Sequence, residues 1–137
     1  MNKTILAALA AVASAEQFRS GEIKSMESFL YGRFTAQIQA STRPGTVSSF
    51  FTYFDGPNWS KAGWNEIDVE IVPSIRENPF SMNIIGANQA QDHSYAPNFQ
   101  PGNDWHTYVI TWTPEYIAWS IDGREIRRTQ GTPIEHF

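Results

Sequence analysis

From Phe29 onward, apolar and polar residues alternate with the two-residue repeat of a half-buried strand, and no stretch settles into the 3.6-residue repeat of a helix. In Arg33-Phe34-Thr35-Ala36-Gln37-Ile38-Gln39-Ala40 every even position is apolar and every odd one polar, which predicts a strand over 33–40. Residues 47–54, 64–72, 80–85 and 105–112 read as further strands, 47–54 being dense in Phe and Tyr on both faces. Residues 118–121 and 125–129 flank Asp122-Gly123, a strong signal for a two-residue hairpin turn. Pro44-Gly45, Asp55-Gly56-Pro57, Asn78-Pro79 and Pro101-Gly102 punctuate the rest. Short strands at this spacing predict an all-β fold, an antiparallel sandwich.

One strand breaks the economy of the pattern. In Trp64-Asn65-Glu66-Ile67-Asp68-Val69-Glu70-Ile71-Val72, strand parity sends Ile67, Val69 and Ile71 into a core, and Trp64, Glu66, Asp68 and Glu70 to the opposite face. Like charges this close repel, and partial burial raises the cost, so a strand needing only stability would carry Thr or Val there. Three readings compete: a solvated outer face, an all-oxygen calcium site, and a pair of catalytic carboxyls with a helper between them. Trp64 on the same face argues for a cleft over an outer face, and ligands strung along a flat strand do not wrap an ion. The pair is the equipment of glycoside hydrolysis, in which one carboxyl stays protonated and the other is ionised. Four residues of strand separate the Cα atoms of the two Glu by about 13 Å, so the retaining geometry asks their side chains to lean together, while the wider inverting geometry fits as well.

Composition narrows the picture. The chain has 137 residues, 14% aromatic and 18% charged, which suits one aromatic-rich domain and not a disordered chain or a coiled coil. No cysteine is present, so disulfides and zinc-thiolate sites are excluded. A net charge of −4 gives no electrostatic case for nucleic acid or anionic membrane. Residues 1–15 read as a secretory signal peptide: Lys3 supplies the positive start, an apolar run too short to span a bilayer follows, and Ala13-Ser14-Ala15 offers a small-x-small cleavage site. The expectation is a secreted or periplasmic protein, monomeric, whose domain occupies residues 16–137.

The acidic strand resembles that of glycoside hydrolase family 16, whose catalytic stretch is Glu-x-Asp-x-Glu with apolar residues between; Glu66-Ile67-Asp68-Val69-Glu70 after Trp64 has the form used by bacterial lichenases. Tyr31-Gly32-Arg33-Phe34, Gly45-Thr46-Val47-Ser48-Ser49-Phe50-Phe51-Thr52-Tyr53, Trp105-His106-Thr107-Tyr108, Trp112-Thr113-Pro114 and Trp119-Ser120-Ile121-Asp122-Gly123 look like family landmarks in order. The resemblance implies a jelly-roll β-sandwich and a retaining endo-β-glucanase. It implies Glu66 as nucleophile, Glu70 as acid/base and Asp68 as the residue that holds and tunes the nucleophile. Trp64, Phe51, Tyr53 and Asn83 would contact sugar. The alternative for Phe51 and Tyr53 is core packing, and His106 and Tyr108 read as structural.

Departures bear on the substrate. Thr35 and Gln37 stand where lichenase-like members carry Glu and Arg, Ile85 stands where an aromatic is common, and Val72-Pro73-Ser74 replaces the usual Leu-Gly. Mixed-linkage β-1,3-1,4-glucan is the first expectation and β-1,3-glucan the second. The resemblance also implies a sandwich of more than the present strands, in the order of the circularly permuted glucanases. On that expectation the jelly roll is incomplete in this chain, and a structural calcium site lies in the missing part. No cofactor is expected for the chemistry. A non-catalytic carbohydrate-binding sandwich and a transglycosylase are the competing functions.

Overall fold

The computed structural model describes residues 20–54, 64–73, 79–86, 89–131 and 134. Among them there is no helix, and nine strands run in chain order: β1 Gly32–Ile38, β2 Ser48–Phe54, β3 Asn65–Ile71, β4 Phe80–Gly86, β5 Gln89–Gln91, β6 Ser94–Tyr95, β7 His106–Trp112, β8 Ile117–Ile121 and β9 Arg124–Arg128. They form two antiparallel sheets, β1-β7-β8-β9 and β2-β3-β4-β5, with β6 also paired to β4. This is the expected all-β sandwich. The predicted residues 1–15 and the turns at Asp55-Gly56-Pro57 and Asn78 lie outside the described residues.

Strand parity builds the core. Ile67, Val69 and Ile71 of β3 and Phe80, Met82 and Ile84 of β4 pack against Tyr108, Ile110 and Trp112 of β7 and Ile117, Trp119 and Ile121 of β8, all of them buried. Burying each such side chain fully is worth roughly 1.5–3 kcal/mol, enough to fix which face of each strand turns inward. β1 follows the alternation read from its sequence, with Phe34, Ala36 and Ile38 half-buried and their neighbours exposed. Trp105, expected to open β7, precedes it and is 69% exposed.

The turns follow their chemistry. Asp122 and Gly123 both have positive φ, 49° and 80°, and make the two-residue connection from β8 to β9 that matches strand twist. Pro101-Gly102 closes a turn in which Asn103 N–H donates to Gln100 O, and a Cβ on Gly102 would collide with Thr42 and the Ala40 carbonyl. β5 and β6 were not foreseen: Gln-Ala-Gln and Ser-Tyr are short and carry no alternation, and β4 recruits them through its outer edge.

Candidate active site

β3 lies between β2 and β4, so whatever it displays sits in the middle of a sheet face. The pairing register aligns three rows across that face: Tyr53, Glu66 and Ile85; Phe51, Asp68 and Asn83; Ser49, Glu70 and Ser81. Trp64 extends the β3 row just ahead of the strand. The structure therefore brings together all seven residues singled out from sequence: Glu66, Asp68, Glu70, Trp64, Phe51, Tyr53 and Asn83. Phe51, Tyr53 and Trp64 form a run of half-buried rings, with Phe51 and Tyr53 edge-to-face at 6.3 Å and Tyr53 tilted against Trp64 at 6.3 Å. None of the three belongs to the buried core cluster. His106 and Tyr108 lie on β7, in the other sheet. His106 pairs with Asp122 at 2.7 Å and stacks on Phe99, and Tyr108 is buried.

The three carboxyls differ in environment. Asp68 is 2% exposed, and its Oδ1 accepts Asn83 N–H at 3.2 Å and Asn83 Nδ2 at 2.9 Å. Burial, reinforced by the charges of Glu66 and Glu70, pushes its carboxyl up to about 7 against the pull of the two Asn83 bonds. Glu66 is half-buried and is also raised above the usual carboxylate range, first by burial. Trp64 Nε1–H, which donates to Glu66 Oε2 at 3.1 Å, pulls it down, and the charge of Glu70 pushes it up. Glu70, half-buried at the other end of the row, pairs with Ser49 and Ser81. The arrangement can keep a proton in the row at neutral pH while an ionised carboxylate stands beside it. Among the described residues no group of three or more His, Asp or Glu could hold a metal ion, and no helix is long and apolar enough to cross a membrane.

Four further residues support this face. Trp119 of β8 donates its indole N–H to Asp68 O at 2.7 Å. Arg127 of β9 lies over the Trp119 ring at 4.8 Å and donates to Met82 O on β4. Ser81 Oγ lies 2.9 Å from Asn83 Oδ1 and 2.8 Å from Asp92 Oδ1. Parity with Asn83 was enough to find Ser81 in the sequence. Asp92 and Arg127 gave no such signal, because a non-local fold brings them in.

The sequence profile of Glycosyl hydrolases family 16 matches residues 3–135. A β-glucanase of Fibrobacter succinogenes is 34% identical over 138 aligned positions, covering 96% of this chain and 39% of that protein. Among solved structures, a prokaryotic β-1,3-1,4-glucanase (lichenase) derived from a mouse hindgut metagenome superposes with a TM-score of 0.69 at 32% identity. That match covers 80% of this chain and 51% of the other. A β-glucanase of Bacillus licheniformis gives a TM-score of 0.68 at 27% identity, with 79% and 51% covered. The chain thus spans about two-fifths to half the length of these relatives. The profile covers nearly the whole chain, and the acidic strand lies within it: this protein belongs to glycosyl hydrolases family 16.

Proposed function

We propose that this protein contributes the catalytic strand of an exported, retaining endo-β-glucanase, with mixed-linkage β-1,3-1,4-glucan as first substrate and β-1,3-glucan as second. The observation that carries the reading is the placement of Glu66 and Glu70 on either side of buried Asp68, on a central strand rimmed by half-buried aromatic rings. A glucan chain lying across the rings would present its scissile bond to the acidic row.

In this reading Glu66 attacks the anomeric carbon while Glu70 protonates the departing glycosidic oxygen, and a glycosyl ester on Glu66 results. Glu70 then takes a proton from water, which attacks the anomeric carbon and frees Glu66. The Trp64 indole N–H stabilises the Glu66 carboxylate, favouring the ionised nucleophile. Asp68 tunes that nucleophile: when neutral, it removes a negative charge from between the two Glu.

The names borne by the relatives support a β-glucan substrate, and the apolar start of the chain supports export. Glu66→Gln is the decisive variant. Turnover of mixed-linkage glucan should fall by at least about a thousandfold with affinity almost unchanged, since the change removes the nucleophile and leaves the aromatic platform intact. Retained turnover overturns the assignment. Unchanged binding by a wild-type protein that never turns over would make the face a binding site instead. Oligosaccharides longer than the substrate among the products would assign transglycosylation.

A further inference from the structure

A chain of short polar contacts leads away from Asp68 along β4. Asn83 Nδ2 donates to Asp68 Oδ1 at 2.9 Å, Ser81 Oγ meets Asn83 Oδ1 at 2.9 Å, and the same oxygen meets Asp92 Oδ1 at 2.8 Å. Asp92 is held there by backbone. β5 and β6 pair with β4 on either side of it, and Met82 and His93 exchange both of their backbone hydrogen bonds.

Proton counting makes this chain informative. Ser81 owns one hydroxyl proton and faces two oxygens that, in an amide and an ionised carboxylate, can only accept. With Nδ2 turned to Asp68, a Ser81 that donates to Asn83 leaves Asp92 against a lone pair, and one that donates to Asp92 leaves Asn83 Oδ1 against a lone pair. An amide has nearly the same shape when turned over. Nδ2 then donates to Ser81, Ser81 donates to the Asp92 carboxylate, and Oδ1 faces Asp68. That order leaves no contact unsatisfied provided Asp68 carries a proton and donates it to Asn83. Among the described residues, the charged and titratable groups around the chain are Glu66 and Glu70 on β3, Tyr53 on β2, Asp92 and His93 beside β4, and Arg127 from β9, which feels both Asp92 and Asp68.

We propose that Ser81 and Asp92 are positioning residues that act through the Asn83 amide to hold Asp68 neutral between Glu66 and Glu70. The catalytic meaning rests on the glucanase reading, since a neutral Asp68 lets Glu66 stand ionised beside it. The structural claim is tested without turnover. In the intact gene product labelled with ¹³C at its carboxyl groups, the titration midpoint of Asp68 is followed by NMR. Ser81→Ala, which leaves every charge in place, should lower that midpoint by about half a unit to one unit, the worth of one net hydrogen bond. Asp92→Ala should lower it in the presence of Ser81 and much less in the Ser81→Ala background. Ser81→Thr, which keeps the hydroxyl, should titrate like the wild type. Ser81→Cys, a near-isostere with a weak donor, replaces Ser81→Ala should that variant not fold.

An Asp68 midpoint unmoved by Ser81→Ala overturns the proposal. So does an Asp92→Ala shift of equal size in both backgrounds, which would mark a through-space charge effect. In turnover, the same variants should move the pH profile of kcat and leave KM nearly unchanged. If Glu66→Gln retained turnover, the glucanase reading would fall while the titration result stood.

Discussion

The indole N–H of Trp119 donates to the backbone carbonyl of Asp68 at 2.7 Å, joining the middle of β8 to the middle of the acidic strand across the sandwich. The two residues are 51 positions apart in sequence, and both are buried. Trp119 thus steadies from behind the strand that carries the carboxyls in front. Trp119→Phe should cost about 2–4 kcal/mol, since it leaves a void and removes the donor from a buried carbonyl. Denaturant unfolding measures that cost. A loss below roughly 0.5 kcal/mol, the floor for a net hydrogen bond, would show that the bond does not hold the strand.

Asp68 gives stability a direction in pH. Burial and the charges of Glu66 and Glu70 push its carboxyl from the ordinary 3.8 up to about 7, so the folded state binds the proton more tightly than the unfolded chain. The contribution is fully present below the unfolded value and is lost as pH rises through about 7. The protein should therefore lose stability between pH 4 and 7.5, by an amount on the order of a few kcal/mol. Asp68→Asn should flatten this trend and be the more stable form at pH 7.5, while turning over substrate more slowly. Thermal melts across that range are the check, and a wild type that gains stability toward pH 7.5 would contradict the raised value.

Phe51 and Tyr53 flank the acidic row without touching the core's centre. Replacing either with Ala should raise KM for a β-glucan by about tenfold, as the loss of one ring-sized apolar contact implies, and change kcat less. Tyr53→Phe should be nearly silent in KM if the ring face is what sugar meets. Steady-state kinetics on oligosaccharides separates the two. An unchanged KM in both Ala variants would return these rings to a packing role.

Tyr108 carries a buried hydroxyl with no hydrogen-bond partner among the described residues. Tyr108→Phe should accordingly raise stability by about 1 kcal/mol, because it removes an unsatisfied polar atom without opening a cavity. A fall in melting temperature would reveal a partner for that oxygen.

Much of the acidic face was legible because a strand's period is short and unforgiving. Once Ile67, Val69 and Ile71 are assigned to the core, Glu66, Asp68 and Glu70 have only one other side to occupy. The same parity put Asn83 opposite the core residues Met82 and Ile84. What could not be read is whatever depends on pairing between distant strands. Register set Asn83 opposite Asp68, the stacking of the sheets brought Trp119 and Arg127 to the rear of β3 and β4, and the outer edge of β4 gathered β5, Asp92 and β6. None of these leaves a local trace, since Gln-Ala-Gln and Ser-Tyr become strands only when β4 offers them an edge.

Trp119 and Arg127 also make the far hairpin a listener. β8 and β9 stand on the opposite sheet from the carboxyls, yet each sends one side chain through to a carbonyl of the strands that bear or flank them. Occupation of the front face should thus be audible at the back. An oligosaccharide that quiets β3 and β4 should slow hydrogen–deuterium exchange at the amides of Arg124–Arg128, which lie in the other sheet.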